Sequence, residues 1–127
     1  MILGIGTDII EVARVARLVD KYGPRFLAKI FTPAEREICL GAANQAQRLA
    51  SRFAAKEAVM KALGTGWARG VRFQDIEIPS GEKEPPRVAL QGVAAQRARA
   101  LGGSRWHLSL AHVGTYAVAF VILEGPD

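Results

Sequence analysis

The alternation of apolar and polar positions divides the chain into strands and helices. Residues 2–10 alternate as a strand, with Leu3, Ile5, Thr7 and Ile9 on one face and Gly4, Gly6 and Asp8 on the other. Residues 11–22 take the helical period and turn Val12, Val15, Leu18, Val19 and Tyr22 inward, before Gly23 and Pro24 end the helix. Thr32-Pro33-Ala34-Glu35 places threonine at an N-cap, proline at the first helical position and glutamate at the third, a capping box opening a helix to about Gly41. From about Gln45 to Gly64, strong helix formers run without proline. There Leu49, Phe53, Met60 and Leu63 form one stripe, and Ala50, Ala54, Ala58 and Ala62 cover much of the rest. This helix is therefore expected to be buried most of the way round. Residues 71–78 and 87–91 read as strands, separated by the Pro79-Ser80-Gly81 and Pro85-Pro86 breaks, and residues 92–101 as a helix closed by Gly102 and Gly103. Residues 106–111 and 116–124 form a hairpin around Val113-Gly114-Thr115, with His107, Ser109 and Ala111 on one face and Trp106, Leu108 and Leu110 on the other. Strand, three or four helices, two strands, helix and hairpin, without repeat or linker, predict one α+β domain over residues 1–127.

Within that frame a few polar residues stand out. Glu57 is a carboxylate in the most apolar helix, and the alanines one turn away leave space beside it that could hold an ion. The alternative is an ordinary i, i+4 pair with Lys61. Glycines inside a strand mark a close approach of backbone or ligand, so Asp8 beside them is either a ligand-facing group or the N-cap of the next helix. Arg14, Arg17, Lys21 and Arg25 recur at spacings of three and four, a basic stripe suited to an acidic helix or a phosphate backbone, or a plain solvated face. The Gly64-Thr65-Gly66 loop could bring backbone N–H groups near a phosphate, although glycine after a helix usually only stops it. His107 falls on the polar face of the hairpin, where it could contact a phosphate, move a proton or be a hydrogen-bonded structural residue. His112, at the turn, is left without a role.

Composition narrows the classes. The longest apolar run, residues 116–123, is far short of the roughly 20 residues of a membrane span, and nothing at the start reads as a signal peptide. The single cysteine, Cys39, cannot form an internal disulfide, which suits a reducing cytoplasm, and is read as a small core residue. A net charge of +5 favours polyanionic partners. Nucleic acid is disfavoured, because no recognised binding pattern occurs and a purely electrostatic binder has no use for Asp8 and Glu57 in apolar surroundings. No dinucleotide fingerprint or P-loop is present either.

Three stretches together resemble the holo-[acyl-carrier-protein] synthases, the short, single-domain 4′-phosphopantetheinyl transferases. They are Gly4-Ile-Gly-Thr-Asp-Ile-Ile-Glu-Val-Ala-Arg14; Phe31-Thr-Pro-Ala-Glu35 with Arg52-Phe-Ala-Ala-Lys-Glu-Ala-Val-Met-Lys-Ala-Leu-Gly-Thr-Gly66; and His107-Leu-Ser-Leu-Ala-His-Val-Gly-Thr-Tyr-Ala117. Two departures are a longer, more charged segment at residues 81–87 and Ala111 in place of a small hydroxyl residue. The resemblance implies a phosphopantetheinyl transferase-like fold with an antiparallel sheet packed against helices. It also implies transfer of the phosphopantetheine arm of coenzyme A to a serine of an acidic apo-acyl carrier protein, with release of adenosine 3′,5′-bisphosphate, in support of fatty acid biosynthesis. Mg²⁺ is expected on Asp8 and Glu57, and coenzyme A on Arg52, Lys61, Gly64, Gly66 and His107. Lys61 would stabilise the leaving group, and the base would be a metal-held water, Glu57 acting through one, or His107. Arg14, Arg17, Lys21 and Arg25 would dock the carrier. A homotrimer with sites between neighbouring subunits, in the cytoplasm, completes the expectation.

Overall fold

A computed structural model describes residues 1–79 and 84–127. In chain order the elements are β1 (Ile2–Glu11), α1 (Val12–Tyr22), α2 (Pro24–Ile30), α3 (Pro33–Leu40), α4 (Gln45–Leu63), a 3₁₀ turn (Phe73–Asp75), β2 (Ile76–Glu77), β3 (Ala89–Leu90), α5 (Gly92–Ala100), β4 (Arg105–Val113) and β5 (Tyr116–Glu124). The main sheet is antiparallel in the order β1-β5-β4, and β2 pairs with β3 in a small second sheet.

Small residues decide how the layers meet. A Cβ on Gly4 would lie 2.1 Å from the Ala62 carbonyl oxygen, and one on Gly6 would lie 1.8 Å from that of Ala58. The glycine face of β1 therefore rests directly on the backbone of α4, whose alanines match it. Ala117 and Ala119 of β5 continue the shallow seat and are fully buried. What approaches the glycines is thus the helix backbone. The far side of α4 packs against α1, α3, α5 and the β2 segment, so the core surrounds α4 with Phe31, Leu49, Met60, Leu63, Ile76 and Leu123 fully buried.

Several boundaries differ from the sequence expectation. Within the strand expected over residues 71–78, Phe73–Asp75 form a 3₁₀ turn, where Arg72 closes on the buried carboxylate of Asp75 at 3.0 Å; only Ile76 and Glu77 pair, with Leu90 and Ala89. The residue 87–91 strand shrinks correspondingly. Pro24 opens a separate helix, α2, after the positive φ of 55° at Gly23. The break around Pro79 and the charged segment at 81–87 lie partly outside the described residues. The capping box is present: Glu35 N–H donates to Thr32 Oγ1 and Thr32 N–H donates to Glu35 Oε1. The β4–β5 hairpin is present and turns on Gly114 and Thr115, with Val113, expected in the turn, paired to Tyr116 at the end of β4.

Candidate active site

Asp8 lies within β1, opposite Ala119 of β5, so it is a strand residue and not the cap of α1. Its side chain shares the face of Gly4 and Gly6 and points at α4, on which Glu57 and Lys61 stand one turn apart. Lys61 Nζ is 3.1 Å from Asp8 Oδ1 and donates to the Thr7 carbonyl at 2.9 Å. The i, i+4 pair with Glu57 that the spacing allowed gives way to this contact across the layers. Glu57 is half-buried, and its carboxyl titrates above the usual range because burial, and next the neighbouring Asp8 charge, disfavour ionisation; Lys61 and Arg14 oppose both. Two carboxylates and two cations thus form a compact polar site at the junction of β1, α1 and α4.

The donor set fits magnesium. Among the described residues no three histidine, cysteine or acidic side chains gather as a closed metal cage, which argues against structural zinc. Two carboxylates with room for water and phosphate oxygens are what Mg²⁺ prefers. A divalent cation on the pair would relieve the Asp8 repulsion that adds to burial in raising the Glu57 pKa.

Beside this site a cleft of about 780 Å³ opens between α1, α2 and residues 67–74. Its floor is a run of rings, Phe26 with Phe53 at 6.4 Å and Phe53 with Phe73 at 5.5 Å, and its rim carries Arg14, Lys29 and Arg72. Lys29 and Arg72 were not legible in the sequence, because they lie far apart along the chain and only folding brings them to one rim. The basic stripe is exposed throughout: Arg14, Arg17 and Lys21 share α1, whereas Arg25 belongs to α2. Arg17 pairs with Glu11 at 3.5 Å.

The other expected contacts stand elsewhere in a single chain. His107 pairs in register with Ile122 and faces away from α4, so the sheet separates it from Glu57; its Nε2 lies 3.0 Å from Glu124 Oε1. It cannot serve as base for the carboxylate site of its own chain. Arg52, a buried residue, lines a groove of about 540 Å³ with Arg48, Ser51 and His112, between the start of α4 and the β4 edge. Asp8 occupies the opposite edge strand, two strand spacings or about 10 Å across the sheet. His112 is the histidine on the α4 side. The signal was available: positions 107 and 112 differ by an odd number, so they point to opposite faces of a strand. Gly64 and Gly66 give their N–H groups to the Met60 and Lys61 carbonyls, ending α4. The N–H groups expected to meet a phosphate are therefore engaged.

Lys56, beside Glu57 and without an expected role, is with Glu35 the most buried charge among the described residues, at 0% and 1% side-chain exposure. Its ammonium donates to Glu35 Oε1 at 2.5 Å, to the Ile30 carbonyl at 2.7 Å and to the Phe73 carbonyl at 3.1 Å. Glu35 in turn accepts from Thr32 and Ile78 N–H groups. This network ties both walls of the aromatic cleft to α4, which leaves Glu57 on the free flank.

A family model described as the 4′-phosphopantetheinyl transferase superfamily matches residues 4–121. A protein named holo-[acyl-carrier-protein] synthase from Koribacter versatilis is 52% identical over 124 residues, spanning 98% of this chain and 99% of its own. The crystal structure of holo-[acyl-carrier-protein] synthase from Neisseria meningitidis matches with a TM-score of 0.87 at 39% identity, covering 98% of this chain and 99% of its own. A holo-(acyl-carrier-protein) synthase from Bacillus anthracis in complex with coenzyme A (3′,5′-ADP) matches with a TM-score of 0.80 at 37% identity, covering 99% of each chain. The chain therefore belongs to the 4′-phosphopantetheinyl transferase superfamily and, within it, to the holo-[acyl-carrier-protein] synthases.

Proposed function

We propose that this chain transfers the 4′-phosphopantetheine arm of coenzyme A to a serine of an apo-acyl carrier protein, releasing adenosine 3′,5′-bisphosphate, in a magnesium-dependent step that serves fatty acid biosynthesis. The observation that carries the reading is the meeting of Asp8, Glu57 and Lys61 where β1 lies against α4. Asp8 and Glu57 would hold the metal, which would supply positive charge to the diphosphate and to the leaving phosphate. Glu57 takes the proton of the carrier serine through a water as the serine oxygen attacks the phosphorus bearing pantetheine. The bond to the adenosine-side phosphate breaks, and Lys61 Nζ donates a hydrogen bond to that departing oxygen.

The carrier side is the exposed row of Arg14, Arg17 and Lys21, continued by Arg25, beside the aromatic cleft whose rim adds Lys29 and Arg72. Positive charge here speeds the encounter with an acidic carrier and orients it. The groove of Arg48, Arg52 and His112 suits the phosphates of the nucleotide half of coenzyme A. Groove and carboxylate site lie on opposite edges of one sheet, which supports a homotrimer in which neighbouring copies complete each site. So does the outer face of the sheet: Ile9 is 63% and Val113 65% exposed, and Ile5 and Phe120 join them, an apolar surface with no cover in the chain. In such an assembly His107 faces a neighbouring copy. Among the described residues no helix is long and apolar enough to cross a membrane, and the free, buried thiol of Cys39 fits the cytoplasm.

The test is the intact mass of an apo-acyl carrier protein after incubation with this protein and coenzyme A. A gain of one phosphopantetheine with magnesium, and none with a chelator, is expected. No gain by a carrier that another transferase modifies would overturn the reading.

A further inference from the structure

We infer that Lys61 is the resident counter-ion of Asp8 in the cation-free protein and gives up that place when a divalent cation enters, so that lysine and metal exchange rather than coexist on Asp8. The inference rests on the reading of Asp8 and Glu57 as metal ligands. Lys61 Nζ touches Asp8 Oδ1 at 3.1 Å, one of the two oxygens this carboxylate can offer a cation, and is anchored by the Thr7 carbonyl at 2.9 Å. Two carboxylates placed this close need positive charge whether or not metal is bound, and Lys61 supplies it.

The two partners differ in freedom. The Asp8 side chain is 15% exposed, and its backbone is fixed by the pairing with Ala119, whereas the Lys61 side chain is 52% exposed. Lysine carries its charge on a flexible four-carbon stem, so the ammonium is the member that can move. A cation with two charges on the same oxygen repels it at short range. Once displaced, Lys61 remains on the solvent side of the site, where the diphosphate of coenzyme A offers a new anionic partner. Metal and substrate then favour each other: substrate gives Lys61 somewhere to go, and the coupling is reciprocal. Free protein accordingly holds divalent cations weakly and substrate-loaded protein holds them tightly.

The experiment titrates Mn²⁺, a hard stand-in for Mg²⁺ that carboxylates accept, and reads the free ion by electron paramagnetic resonance. Wild type, Lys61→Met, Lys61→Arg and Asp8→Asn are compared with and without coenzyme A. Lys61 is a surface residue, and methionine keeps most of its stem, so the fold is retained. Without coenzyme A, Lys61→Met is expected to bind Mn²⁺ about tenfold tighter than wild type, while Lys61→Arg, which keeps the charge, stays within about threefold. Coenzyme A tightens Mn²⁺ binding to wild type more than to Lys61→Met, and Asp8→Asn removes the site. Equal or weaker Mn²⁺ binding by Lys61→Met overturns the exchange. In that event Asp8-dependent binding by coenzyme A-loaded wild type preserves the metal site and removes only this role of Lys61; its absence removes both.

Discussion

Replacing Gly6 by alanine tests the contact on which the carboxylate site depends. The added Cβ would stand 1.8 Å from the Ala58 carbonyl oxygen, against a practical minimum of 3.0 Å, so β1 and α4 must part by about 1.2 Å. Relief by a side-chain rotation is impossible because the obstructing atom is backbone, and for the same reason Ala58→Gly brings no rescue. Overpacking of this kind typically costs 1 to 3 kcal/mol, and a gap of about 1 Å forfeits up to half the dispersion attraction of the atoms it separates. A loss of about 3 kcal/mol is expected, which for a domain of this length lowers Tm by roughly 10 °C or more. The chemistry suffers further, since Glu57 adjoins Ala58 and moves away from Asp8 with the helix. A displacement of about 1 Å at a catalytic group costs on the order of a hundredfold in turnover. The assay pairs a thermal melt by circular dichroism with the rate of carrier modification well below the variant's Tm. Gly41→Ala is the control, because its nearest neighbour is 3.6 Å from the new Cβ and its φ of −85° suits alanine; it should change stability by less than about 1 kcal/mol. Gly6→Ala melting within about 3 °C of wild type, with turnover intact, would refute the reasoning.

Glu35→Gln strands the Lys56 ammonium in a fully buried position and is expected to cost about 3 to 5 kcal/mol in urea unfolding, most of it recovered by Glu35→Gln with Lys56→Met; an additive double variant would contradict the pairing. Glu57 ionises less readily folded than unfolded, so in divalent-free buffer its contribution to stability is full below the ordinary value of 4.5 and is lost as pH rises through the raised one. Glu57→Gln should remove that decline, and parallel pH profiles for wild type and variant would show that the site is not electrostatically strained. Reversing Arg17 and Lys21 to glutamate is expected to raise the KM for the carrier about tenfold at low salt, less at high salt, with the KM for coenzyme A unchanged; a salt-independent effect would remove α1 from the docking surface. If the outer sheet face is the seam of the proposed homotrimer, Ile9→Asp should lower the mass read by light scattering and reduce turnover with it, whereas an unchanged mass would remove this face from the proposal.

Local sequence determined α1, α3, α4 and α5, the hairpin and the capping box, though not α2, because capping residues, turn glycines and apolar periods act over a few residues. It also singled out Asp8, Glu57 and Lys61, since charge in an apolar helix or beside strand glycines is conspicuous in one dimension. It did not determine which of those charges pair. The spacing offered Lys61 to Glu57, and the stacking of β1 on α4 gave it to Asp8. Nor could it say which face of β1 is the inner one. Hydrophobicity favours burying the isoleucines, yet the glycines face the core because only they admit the helix backbone at that distance. Residues 71–78 carried strand-forming side chains, but Phe73–Asp75 close into a turn under Arg72 and Asp75, and only Ile76 and Glu77 pair as a strand. The role of Lys56 was hidden for the same reason, as its three acceptors come from segments up to 26 residues away in the chain. Patterning along a chain records what each residue prefers. Which preferences are met, and which charges become neighbours, is decided where separate segments compete for the same space.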